Sequence, residues 1–141
     1  MTVTSEASTA WKGGLTDGSG DVTFVSSGLG TFDVNWKARS EGSTSVTTPE
    51  ELIAAAHASC FSMAFSGALA ENGTPPDAID TTASVTFKPG TGITGSHLNV
   101  NAVVPGISPE DFERLAQSAK AGCPVSQALA GVEITIEATL A

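Results

Sequence analysis

The chain has 141 residues, 40% of them hydrophobic, 15% charged, with a formal net charge of −9. Its length fits one domain, residues 1–141, with enough apolar material for a core. An acidic chain lacks the Lys/Arg needed to neutralise phosphate, so neither nucleic acid nor an anionic membrane surface is an expected partner.

The N-terminus, MTVTSEASTAWKGG, has no basic start followed by an apolar stretch. That is not a secretory leader, and the expected location is the cytoplasm. Three short strands follow: ASTAWKG, VTFVSS and FDVNWK, the last on the alternation of Phe32, Val34 and Trp36. GGLTDGSGD and SGLG are the turns between them. ARSEGSTSVTT is polar without apolar period and reads as a loop.

A long helix begins at Thr48–Pro49. Thr48 is a good N-cap, Pro49 suits the first helical position, and Glu51 completes a capping box. The helix runs to about Glu71 and stops at Asn72-Gly73, with Pro75 and Pro76 beyond. Its apolar residues cover nearly the whole circumference, which predicts a central, buried helix. The run approaches the ~20 residues of a membrane span. It carries His57, Ser59, Ser62 and Ser66, however, and lacks basic or aromatic anchors, so no membrane span is expected. Ala54, Ala58, Ser62 and Ser66 form a small-residue ridge that would let another helix approach closely. Charged residues are well below the usual quarter, and the approaching helix is expected from a second copy of the chain.

TTASVTFKPG and ITGSHLNVNAVV read as strands, with Leu98, Val100 and Ala102 on one face and His97, Asn99 and Asn101 on the other. SPEDFERLAQSAKAG is an amphipathic helix capped by Ser108, with Phe112, Leu115, Ala116 and Ala119 as its stripe. Gly122 ends it, Pro124 to Ala130 form a short helix, and VEITIEATL closes the chain as a strand. The predicted fold is α+β: an antiparallel sheet packed on a long central buried helix plus two shorter helices.

The chain contains two cysteines, Cys60 within the long helix and Cys123 just before Pro124. In the cytoplasm a cysteine pair is more often catalytic, redox-active or metal-binding than structural, although free cysteine also fills cores. Apolar surroundings raise the pKa of Cys60, so it needs a cation to ionise. Cys123 precedes a helix start, where backbone N–H groups favour a thiolate. Locally, Cys123 is the more acidic thiol. His57, three residues before Cys60, offers a Cys–His pair, or a histidine hydrogen-bonded in the core. Cys60, Cys123, His57 and His97 total four zinc-ligand types, but no clustered spacing supports a metal, and no cofactor is expected.

The block TTPEELIAAAHASCFSMAFSGALAENG together with KAGCPVSQAL resembles the OsmC/Ohr family of thiol peroxidases, closest to the OsmC branch. The likeness continues through AIDTTASV, the VPGI segment and VEITIEATL, covering about Arg39 to the C-terminus. The resemblance implies an intertwined homodimer and a hydroperoxide reductase. Cys60 would be the peroxidatic cysteine, Cys123 the resolving cysteine that closes a disulfide with it, Arg39 the catalytic arginine, and Glu50 the acid that holds Arg39. Organic hydroperoxides are the implied substrates, with Phe61, Met63 and Phe65 as apolar walls or as plain core. A lipoyl-type or small dithiol is the implied reductant. Ten helical residues separate Glu50 from Cys60, about 15 Å, which predicts active sites shared across the dimer interface. The alternatives are a non-enzymatic stress or binding protein on the same scaffold, and another thiol enzyme using Cys60 with His57.

Overall fold

The structure, a computed structural model, describes residues 1–141. The chain divides into two compact units, Met1–Pro49 and Glu50–Ala141.

The first unit holds strands β1 (Ala7–Lys12), β2 (Ser19–Phe24) and β3 (Thr31–Val34), paired as an antiparallel meander. Phe24 and Phe32 lie on neighbouring strands with ring centroids 5.3 Å apart. The third strand is shorter than the alternation predicts. At Asn35 the chain turns into a helix, α1 (Trp36–Glu41), where a loop was expected. The Asn35 side chain accepts from the Ala38 N–H at 2.7 Å, satisfying an orphan donor of the first turn. Gly42, at φ 88°, ends the helix in a conformation open to glycine. Trp36 therefore belongs to a helix rather than to the strand face of Phe32 and Val34. This unit buries few of its apolar side chains: Val22 and Ala38 are inside, while Trp11, Leu15, Val25, Leu29 and Phe32 are exposed.

The second unit is built on helix α2 (Pro49–Glu71), the predicted long helix with the predicted limits. Its stop is a Schellman turn: Gly73 takes φ 80°, and Thr74 N–H returns to Leu69 O at 3.0 Å. Strands β4 (Ala78–Lys88) and β5 (Gly92–Val103) follow as an antiparallel pair. Helices α3 (Pro109–Gly122) and α4 (Pro124–Ala128) then lead to β6 (Glu133–Leu140). That crossover carries the chain back along the sheet, so β6 pairs with β5 in parallel. The sheet is mixed, and the molecule has two small sheets rather than one antiparallel sheet.

The core is one cluster. Phe61, Phe65 and Leu69 of α2 pack with Leu98, Val100 and Ala102 of β5 and with Phe112, Leu115, Ala116 and Ala119 of α3. Cys123 belongs to this cluster. The i, i+4 spacing of Phe61, Phe65 and Leu69, with His57 one turn before, sets the buried stripe of α2. The opposite face is not covered. Ala55, Ser59, Met63 and Gly67 are exposed, Met63 at 75%. The apolar circumference that suggested a fully buried helix thus has one packed side and one open side. Ser62, from the expected small-residue ridge, turns to the sheet and donates to Ala58 O, with its Oγ 2.8 Å from Thr81 Oγ1.

Candidate active site

Cys60 projects from the middle of α2, half-buried. Cys123 sits at the junction of α3 and α4, fully buried, where Pro124 starts the short helix. The fold brings these residues, 63 positions apart, to a sulfur–sulfur distance of 3.0 Å. Both cysteines are free in this structure, and the two sulfurs are in hydrogen-bond contact.

Burial pushes the Cys60 thiol above its ordinary value, and the hydrogen bond with Cys123 adds to the rise; the Val125 N–H opposes it weakly. Burial acts upward on Cys123 too, but the hydrogen bond with Cys60 and the nearby amide and hydroxyl of Ser126 outweigh it. Cys123 is left below the ordinary thiol value. Its sulfur makes no side-chain capping bond of normal geometry, so the amides act on it through their dipoles. The local expectation that Cys123 is the more acidic thiol agrees with this environment.

His57 is fully buried and does not serve Cys60. Its Nδ1 lies 2.7 Å from Ser96 Oγ on β5, and its Nε2 lies 2.8 Å from Ser126 Oγ on α4. It is the core histidine of the two readings, clamping three elements together. Ser96 and Ser126 were not foreseen; a serine facing inward beside Leu98, and one three residues after Cys123, were the available signals. His97 occupies the other face of β5, with Nδ1 2.6 Å from Thr135 Oγ1.

Burial lowers the His57 pKa from 6.5. The folded chain therefore keeps it neutral where the unfolded chain binds a proton. Between the folded value and 6.5 the unfolded state carries the extra proton, so stability present above pH 6.5 falls as pH drops, with a limiting slope of about 1.4 kcal/mol per pH unit. Urea unfolding of the wild type between pH 7 and pH 5 is expected to show this loss. His57→Gln removes its His57 part, and equal slopes in both proteins would refute the assignment.

Phe61 and Phe65 are core residues with no exposed surface, not substrate walls, whereas Met63 is open to solvent. Glu50 lies in the first turn of α2 and is 6% exposed. Ten residues of helix put it about 15 Å from Cys60 along the axis, beyond the reach of its side chain. Arg39 lies in the last turn of α1, in the first unit.

Two free thiols in contact, one half-buried and one sealed, thus lie within an α+β core. The OsmC-like protein family model matches residues 14–137. Peroxiredoxin OsmC of Escherichia coli (strain K12) is 44% identical over 140 residues, covering 97% of this chain and 96% of its own length. Among solved structures, the OsmC-like protein of Mycoplasma pneumoniae aligns over 99% of both chains with a TM-score of 0.74 at 13% identity. The organic hydroperoxide resistance protein OhrB of Bacillus subtilis aligns over 96% of this chain and 98% of its own, with a TM-score of 0.63 at 26% identity. The chain belongs to the OsmC family and is a cysteine-based peroxidase.

Proposed function

We propose that this protein reduces organic hydroperoxides to alcohols, and more weakly hydrogen peroxide to water, through a Cys60 sulfenic acid and a Cys60–Cys123 disulfide. The observation that carries this reading is the 3.0 Å approach of a half-exposed and a buried sulfur. The Cys60 thiolate attacks the terminal peroxide oxygen, the O–O bond breaks, and the alkoxide leaves as alcohol after taking a proton. Cys60 is left as a sulfenic acid. Cys123 then attacks the Cys60 sulfur, the S–O bond breaks, and water leaves. A lipoyl-type or small dithiol reduces the disulfide. The relative named for organic hydroperoxide resistance supports the substrate class.

Cys60 needs help to ionise, because burial and its neighbour both hold its proton. In this reading Arg39 supplies the positive charge and orients the peroxide, and Glu50 holds Arg39. Glu50 cannot reach Cys60 along its own helix, so the arginine and glutamate come from the partner of a homodimer. The open apolar face of α2 and the exposed Trp11, Leu29 and Phe32 of the first unit are the surfaces a partner would cover. The location proposed is the cytoplasm, where reduced dithiols are maintained.

Turnover of cumene hydroperoxide and hydrogen peroxide with a dithiol, in the wild type, Cys123→Ser and Arg39→Ala, tests the mechanism. Expected are higher kcat/KM for the organic peroxide, a trappable sulfenic acid in Cys123→Ser, and a loss of about 100-fold or more in Arg39→Ala. Equal turnover in Arg39→Ala would remove that residue from the mechanism, and preference for hydrogen peroxide would overturn the substrate assignment. For the assembly, Met63→Glu is expected to weaken dimerisation by about 100-fold, because an unpaired charge would be buried at the contact. Sedimentation equilibrium reads this; a wild-type monomer would reject the shared site.

A further inference from the structure

Helix α4 carries Cys123 at its head and is only five residues long, too short to hold together by its own hydrogen bonds. No side chain caps its start, and its buried residue is Ser126, a hydroxyl. Ser126 Oγ lies 2.8 Å from His57 Nε2 on α2. The other ring nitrogen of His57, Nδ1, lies 2.7 Å from Ser96 Oγ on β5. All three side chains are buried, so losing either bond leaves a polar group in the core with no water to replace its partner.

The spacing of these residues ties them to the thiol pair. His57 stands one turn before Cys60 on α2, and Ser126 stands one turn after Cys123. Residues three apart on a helix are neighbours on one face. Two rungs therefore join α4 to α2, one turn apart: His57 Nε2 to Ser126 Oγ at 2.8 Å, and Cys123 to Cys60 at 3.0 Å. His57 is also held from β5, so the first rung fixes where α4 sits along α2 whether or not the sulfurs are bonded. A slide of α4 by one residue's rise, about 1.5 Å, would break that rung and carry Cys123 away from Cys60.

We propose that the Ser96–His57–Ser126 rung is a positioning device for disulfide closure: it holds Cys123 against Cys60, so that the Cys60 sulfenic acid is resolved before a second peroxide reaches it. The inference deepens the peroxidase reading above and rests on it. The sulfenic acid has two fates. In one, the Cys123 thiolate attacks the Cys60 sulfur, the S–O bond breaks, and the hydroxide takes a proton and leaves as water. In the other, the sulfenic sulfur attacks the terminal oxygen of a second hydroperoxide, the O–O bond breaks, and alcohol leaves. Cys60 is then a sulfinic acid, which a dithiol does not reduce. The first fate joins groups already in contact and needs no unfolding of α4. It slows when α4 is free to drift, whereas the second does not involve α4. Ser96, His57 and Ser126 act by placing Cys123 and are positioning residues.

The reduced protein is treated with increasing cumene hydroperoxide and no reductant, and intact mass spectrometry reads disulfide against sulfinic acid. The peroxide concentration that turns half of the chains sulfinic is expected to fall about tenfold in Ser126→Ala and His57→Gln, the scale of one buried hydrogen bond whose partner is left unsatisfied. In Ser96→Ala, which removes only the far bond, it should fall about threefold. Leu69→Ala is the control for lost stability: Leu69 is buried in the same core, about 14 Å along α2 from Cys60. It is expected to lose at least as much stability in urea and to keep the wild-type partition. In a Cys123→Ser background, where only over-oxidation is left, Ser126→Ala should not change the rate of sulfinic acid formation. A wild-type partition in folded Ser126→Ala and Ser96→Ala, or an equal shift in Leu69→Ala, would overturn the rung. So would a tenfold faster over-oxidation of Ser126→Ala in the Cys123→Ser background, since Ser126 would then govern peroxide access. A wild type that forms no sulfenic acid would sink the peroxidase reading instead. The rung is then judged by the dithiol–disulfide equilibrium against dithiothreitol, which Ser126→Ala should move about tenfold towards the dithiol; an unmoved equilibrium would overturn it.

Discussion

Cys60→Ser is expected to lower kcat/KM for an organic hydroperoxide by about 10³-fold or more, the scale on which removal of an attacking nucleophile acts. Serine is nearly isosteric but has no accessible anion in this environment, where burial already works against ionisation. Folding should be little affected, since Cys60 is only partly packed against the core. The check is peroxide consumption with a dithiol, alongside mass spectrometry for sulfenic acid and for the Cys60–Cys123 disulfide. Undiminished turnover would transfer the attack to Cys123 or remove both from the chemistry. The thiol environment makes that comparison sharp, because Cys123 is the more acidic sulfur in the single chain. Acidity alone does not choose the attacker; access does, and Cys123 has none.

The largest expected loss of stability is in Phe65→Ala, about 4 kcal/mol. Phe65 has no exposed surface, and its ring lies 5.5 Å from Phe61 and 5.4 Å from Phe112. Its removal leaves a cavity where α2, α3 and the sheet meet, and also ends two aromatic contacts. Urea unfolding at one protein concentration measures it, with the slope unchanged if both proteins unfold to the same extent. A loss under about 1.5 kcal/mol would mean that the neighbouring rings close over the gap.

The second unit was largely legible in the sequence because its signals are local. The Thr48–Pro49 start and Asn72-Gly73 stop bracket α2, and Ser108 and Pro109 open α3, where the Ser108 hydroxyl accepts from Asp111 N–H. Leu98, Val100 and Ala102 alternate inward on β5 as their period requires. The first unit was harder. Phe32, Val34 and Trp36 alternate like a strand, but Asn35 is a strong N-cap, and its bond to Ala38 starts a helix in the middle of that pattern. Asn35 and Gly42 were the signals, outweighed by three apolar residues.

What the chain determined by itself was its two thiols and the elements that carry them, one within a long helix and one before Pro124, on an α+β framework. Those are consequences of nearest-neighbour chemistry, of caps, breakers and periodicity acting over a few residues. Only the tertiary structure decided that the two sulfurs lie 3.0 Å apart. It also decided that β6 returns parallel, that α2 keeps one apolar face open, and that His57 answers to Ser96 and Ser126 rather than to Cys60. Each of these joins residues tens of positions apart, and such pairings are set by how whole faces pack, which no short window of sequence contains.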